Sequence, residues 1–212
     1  MKNSERTDAR KSEILDVAEN LFIEKGYEHT TISDILNASG AAKGSLYYHY
    51  KSKEDVLDGI IKRRGDANIE AANYIAKADS LNAPAKLLQI MLAQQPGNER
   101  QKQLTADFEK SSDGRMFLKS LTDIVARLAP VLQSVIEQGI AEGAFATPYP
   151  LESAEILLAA AHALFDNGEI ARMPAQQMRK MAAFITVTER TLGATEGSLS
   201  DLAQLFTTGG NV

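Results

Sequence analysis

No cysteine occurs among the 212 residues, which excludes disulfides and thiolate chemistry and fits a reducing compartment. The opening residues, Met1 to Arg6, lack the apolar core of a secretion signal. The most apolar run, 156–165, is too short to cross a bilayer and carries His162 within it. The expectation is a soluble, cytoplasmic chain with no membrane partner. Catalytic signatures are missing too. There is no phosphate-binding glycine loop and no Gly-x-Ser-x-Gly elbow. None of the three histidines has a glutamate three residues before it, so the ligand pattern of a di-iron carboxylate bundle is absent. Glu152 and Glu155 then read as a solvated helix start. No metal, no cofactor and no enzymatic activity are expected.

Apolar residues make up 44% of the chain, enough for a proper core, and no low-complexity segment signals disorder. The formal charge of −5 argues against non-specific coating of nucleic acid, though not against a local DNA site. Its distribution matters more. Residues 1–53 carry eight bases and eight acids, whereas the remainder carries 15 bases and 20 acids. Between 35 and 53 stand Lys43, Lys51 and Lys53 and no acid at all.

Every segment reads as helical. Thr7 or Asp8 can cap a first helix, in which Ile14, Ala18, Leu21 and Phe22 recur at helical spacing before Gly26 stops it. Arg6, Arg10 and Lys11 at its start fit either an external anion or a solvated tail. Ser52 and Asp55 open a fourth helix of about 25 residues, whose apolar stripe runs from Val56 to Ile75 and whose possible soft point is Gly65. Further helices are expected at 83–95, 99–110, 115–142 (with a kink ahead of Pro130), 151–166 and 174–192, followed by a weak C-terminal helix. The fold class is therefore all-α, with about nine to ten helices.

The stretch from Thr31 to Lys53 organises the rest. Thr31 and Asp34 form a capping-box pattern at the start of a short helix, Ser39-Gly40 makes a turn, and a second short helix runs from about Ala42 to Tyr48. A capped helix, a glycine turn and a polar-aromatic helix is the helix-turn-helix layout. Leu46 and Tyr50 are expected inside. Tyr47 and Tyr48 are expected to face DNA, where amphipathic rings pack on sugars and their hydroxyls reach phosphates.

Phe22, Gly26-Tyr27, Thr30-Thr31, Ile35, Gly40, Lys43-Gly44-Ser45-Leu46-Tyr47-Tyr48-His49-Tyr50, Lys51, Lys53 and Leu57 together resemble the TetR/AcrR family of bacterial transcriptional regulators. The likeness covers residues 8–68 closely, and 136–145 resembles the end of the long ligand-domain helix of many members. It implies a helix-turn-helix DNA-binding domain over 8–68 and a helical effector-binding and dimerisation domain over 69–212. The implied function is a homodimeric repressor released from a palindromic, double-stranded operator by a small molecule. A regulator governed by a protein partner or by abundance is the alternative, and a helical-bundle enzyme or scaffold is disfavoured. The resemblance assigns phosphate contacts to Thr31, Tyr48, His49 and Lys53, and base or adjacent backbone contacts to Lys43, Gly44, Ser45 and Tyr47. Ser33 stands where many members carry a base-contacting arginine, and Ala41 and Ala42 are smaller than the common Val-Ser. Met91, Phe108, Met116, Phe117, His162 and Phe165 are the candidates for lining an effector pocket, with core packing as the competing reading.

Overall fold

The computed structural model describes residues 2–95, 115–165 and 174–207, with backbone alone at 2–8, 115–120, 174–177 and 206–207. The expected helix at 99–110 lies outside the described residues. All the regular structure described is helical: eight α-helices of seven residues or more, then a 3-10 turn and one last α turn. The described residues fall into two compact units, 2–66 and a second made of 67–95, 115–165 and 174–207.

In the first unit, α1 (Lys2–Lys25) starts ahead of the expected caps at Thr7 and Asp8. Lysine, glutamate and arginine cost a helix little, so the N-terminal residues prolong it past the cap signal. Its inner face buries Ile14, Leu15, Ala18 and Phe22. Gly26, at φ +84°, closes it in the left-handed conformation that glycine adopts without strain. The buried Thr30 hydroxyl then donates to the Gly26 carbonyl at 2.9 Å and the Leu21 carbonyl at 3.2 Å, which ties the segment after α1 back to its last turns. Next come α2 (Ile32–Ser39), α3 (Lys43–His49) and α4 (Lys53–Ala76), which runs unbroken through Gly65. Val56, Leu57 and Ile60 of α4 complete the core with Tyr27, Ile35, Leu46 and Tyr50. Arg63 ties α4 to α1, donating to Asp16 at 2.6 Å and Glu19 at 2.8 Å, while Arg64 reaches Glu19 at 3.1 Å.

The second unit packs Ala72 of α4, α5 (Ala83–Ala93), α6 (Arg115–Ala141), α7 (Pro150–Phe165) and α8 (Pro174–Leu192). The 3-10 turn (Ser200–Ala203) and α9 (Gln204–Thr207) follow, and Leu199 and Leu202 fold back onto the same core. Helix α6 continues through Pro130, which is exposed, as is Ala126, whose carbonyl the proline deprives of a donor. At the C-terminal end of α6, the Ala144 and Phe145 amides both donate to the Gly139 carbonyl, at 2.8 and 3.0 Å, and fold the Phe145 ring against Gly139.

A buried lysine joins three of these elements. Lys86, only 4% exposed, donates to the Ala76 carbonyl at the end of α4 and to Gln138 Oε1 of α6, both at 2.7 Å. Gln138 donates in turn to the Leu81 carbonyl at 3.1 Å and to Glu142, and Glu142 accepts from the Ala83 amide at 2.9 Å. A buried ammonium persists only when acceptors replace its hydration shell, and here they come from the α4–α5 turn and from α6.

Candidate nucleic-acid interface

Three interlocking caps build this part of the first unit. Thr31 is the N-cap of α2: its hydroxyl accepts from the Asp34 amide at 3.1 Å, and Asp34 reaches back to the Thr31 amide at 2.9 Å. This is the expected capping box. The Thr31 hydroxyl also donates to the Asp34 carboxylate at 2.8 Å. The two Thr31 hydrogen bonds, backbone first, with Lys25 beside them, hold the Asp34 carboxyl below its usual range. Gly40, at φ +59°, ends α2 and turns the chain. Ala41 is buried beneath the turn, with its amide on the Ser39 hydroxyl.

Helix α3 then has two sharply different faces. Leu46 is fully buried, and Tyr50, just past the helix end, is 4% exposed. The burial of Tyr50 pushes its phenol up to about 12. Opposite them, Tyr48 is 80% exposed, Tyr47 is 44% exposed, and Ala42, Lys43 and Gly44 are exposed, while Ser45 and His49 are half-buried. The Lys43 ammonium lies 6.0 Å from the centre of the Tyr47 ring. The Tyr48 and His49 rings meet edge to face at 5.0 Å, which fixes the His49 imidazole beside the exposed phenol. Thr31 and Ser33 are exposed on α2.

The residues singled out in sequence thus gather on α2, α3 and the start of α4. Lys53 is the exception in its environment. Its ammonium donates to the Tyr27 carbonyl at 2.9 Å and lies 4.1 Å from the centre of the Tyr27 ring. Tyr27 also donates to Glu54 at 3.3 Å. Burial, with Glu54 next to it, raises the Tyr27 phenol. Sequence reasoning misses this contact, because nothing local couples residues 26 positions apart. Ser52 caps α4 as expected, accepting from the Asp55 amide at 3.1 Å, but Asp55 bonds the Lys51 amide rather than that of Ser52.

The effector candidates are only partly described. Met91 packs against the second unit's core, and the Phe165 ring meets Phe184 of α8 edge to face at 5.5 Å, a partner the sequence does not suggest. His162 is half-buried on α7. Phe108 lies outside the described residues, as do the side chains of Met116 and Phe117.

Comparison with known proteins agrees with this geometry. Residues 14–60 match the tetR family of bacterial regulatory proteins, and residues 98–187 match the tetracyclin repressor-like C-terminal domain. The HTH-type transcriptional repressor KstR2 of Mycobacterium tuberculosis (strain ATCC 25618 / H37Rv) is 36% identical over 84 residues, 40% of this chain and 41% of that protein. The HTH-type transcriptional regulator QacR of Staphylococcus aureus is 50% identical over 64 residues, 30% of this chain and 31% of that one. These alignments therefore span well under half of the relatives' own length. Among solved structures, the SmeT–triclosan complex has a TM-score of 0.62 at 20% identity, covering 90% of this chain and 94% of the other. Salmonella enterica GusR follows with 0.60 at 18% identity, covering 88% and 96%. The fold is shared across almost the whole chain. The chain belongs to the TetR/AcrR family. That family is one of bacterial regulatory proteins. Among the described residues no helix is long and apolar enough to cross a membrane.

Proposed function

We propose that this regulator is a homodimeric repressor, working in the cytoplasm, that lays α3 of each protomer in the major groove of a palindromic operator and leaves it when a small molecule binds. The observation that carries the reading is the division of α3. Leu46 and Tyr50 anchor it in the core, while Lys43, Tyr47 and Tyr48 stand exposed together. Residues 8–68 form the DNA-binding domain in this reading and 69–212 the effector-binding and dimerisation domain. Lys43, Gly44, Ser45 and Tyr47, with Ala42 and Ser33 at the margins, address bases and adjacent backbone. Thr31, Tyr48, His49 and Lys53 address phosphates.

Repression is supported by relatives such as KstR2, named a transcriptional repressor. A small-molecule effector is supported by the triclosan complex of a structural neighbour. The effector's lining candidates are Met91, Phe108, Met116, Phe117, His162 and Phe165. Dimerisation is supported by large apolar side chains left in solvent on the last long helices: Ile156 of α7 and Met178 and Val187 of α8. The test is selection of bound duplexes from a random pool. An inverted repeat should emerge whose half-sites lie about one helical turn apart, or a multiple of it. Enrichment of single half-sites, or of none, would refute the dimeric reading. Compounds that raise the melting temperature of the protein should also release the selected duplex.

A further inference from the structure

Gly44 lies in the first turn of α3 and is exposed. Nothing in the fold asks for a glycine there. A β-carbon built on it meets no atom within 4 Å, and its φ is not among the left-handed ones that glycine alone takes easily. Gly59 of α4 is the opposite case, because the Tyr50 ring fills the space its side chain would take. Glycine disfavours a helix more than any residue but proline, and α3 has only seven residues. The bare position therefore weakens α3 without easing any contact inside the protein.

Its place on the helix says what it faces. Residues two apart on an α-helix lie about 200° round from one another, so Gly44 is nearly opposite Leu46, which is fully buried. Tyr48, four residues on and 80% exposed, stands on the same outward line. A second line runs beside it, in which the Lys43 ammonium lies 6.0 Å from the centre of the Tyr47 ring. The outward ridge of α3 thus carries bare backbone at its start and a full phenol ring one turn later.

We infer that Gly44 is the point of closest approach between α3 and DNA: its missing side chain lets the start of the helix seat against the base-pair edges, while the Tyr48 ring holds the other end further out. The helix then enters the major groove tilted, start first, with the Tyr48 phenol at the groove wall where the phosphates are. A side chain at 44 would stand between backbone and bases, and would carry Lys43 and Tyr47 outward with the helix.

This rests on α3 being the DNA-contacting helix, and the experiment keeps the two apart. Melting temperature and affinity for the duplex selected by the wild type are measured for Gly44→Ala, Gly44→Leu, Lys43→Ala and Tyr48→Ala. Both Gly44 variants should melt no lower than the wild type, since the site is exposed and each new residue is a better helix former. Affinity should nevertheless fall, by about tenfold for alanine, as when one methyl overpacks a close contact, and further for leucine. Equal losses for alanine and leucine would mean that the flexibility of glycine matters and not the space. Unchanged affinity for leucine would mean that DNA never comes near this position. Either result overturns the inference, as does a fall in melting temperature, which would make the glycine a need of the fold. If Lys43→Ala and Tyr48→Ala also bind as the wild type does, it is the assignment of α3 that fails.

Discussion

The ring of Tyr50 occupies the space that a side chain at Gly59 would need: a β-carbon there would lie 2.9 Å from Tyr50 Cε1 and 3.1 Å from Leu15 Cδ2. Both neighbours are buried, so neither can swing aside. Gly59 is a helix-interior glycine, and its replacement by alanine should gain about 1 kcal/mol of helix propensity. Overpacking of this kind costs about 1–3 kcal/mol, so the clash wins. Gly59→Ala should lower the unfolding free energy by about 1 kcal/mol in urea titration. It should also weaken DNA binding, because Tyr50 is the buried end of α3.

Thr31 and Asp34 supply a second prediction, in which pH separates their parts. Thr31→Ala removes the N-cap of α2 and should cost about 1 kcal/mol. Asp34 has its carboxyl held below the usual range by the Thr31 hydrogen bonds and by Lys25. A group depressed in the folded state adds stability above its unfolded pKa and loses it as pH falls through the folded value. The gap in melting temperature between wild type and Asp34→Asn should therefore be full at neutral pH and close below about pH 4. A gap that persisted into strong acid would mean that the carboxylate charge is irrelevant to the cap.

Much of this unit is legible in the amino-acid sequence, and the reason is range. Leu46 and Tyr50 fall inward because they are four residues apart on one helical face. Thr31 and Asp34 cap one another because they are three apart. The Lys53–Tyr27 contact and the Arg63 bonds to Asp16 and Glu19 span 26, 47 and 44 positions. No periodicity reaches that far. The start of α1 departs from its cap signal for another reason. A good cap at Thr7 or Asp8 marks where a helix can begin, and favourable residues upstream let it begin sooner. Residue type alone puts Phe165 among the effector candidates, and its contact with Phe184 of α8 comes only from the fold.

Lys43 should determine sequence preference. Its replacement by alanine should change the selected half-site at one or two base pairs, each worth about 1–3 kcal/mol of discrimination. An unchanged half-site would remove Lys43 from the base-reading set and leave Tyr47 and Ser45 to account for it.

Ile156 on α7 and Val187 on α8 should report on dimerisation. Both are more than half exposed, so glutamate at either position costs the folded monomer little. Against a second copy it would bury an unpaired carboxylate. The double variant should sediment as a monomer with native helicity and lose binding to the two-half-site duplex. A double variant that remains dimeric would move the interface elsewhere.

The Lys86 network has a mechanical consequence. Gln138 accepts from the ammonium with its oxygen and donates to the Leu81 carbonyl and Glu142 with its nitrogen. Glutamate in its place would lack the donors, and leucine would strand the cation. Through that one amide, Lys86 and the Glu142 bond to Ala83, the chain from Ala76 to Ala83 is pegged to α6 at several points. A turn pegged this way has no slack. Displacing this end of α6 means either carrying the foot of α4 along with it or exposing a bare ammonium to an apolar interior, and the first is far cheaper.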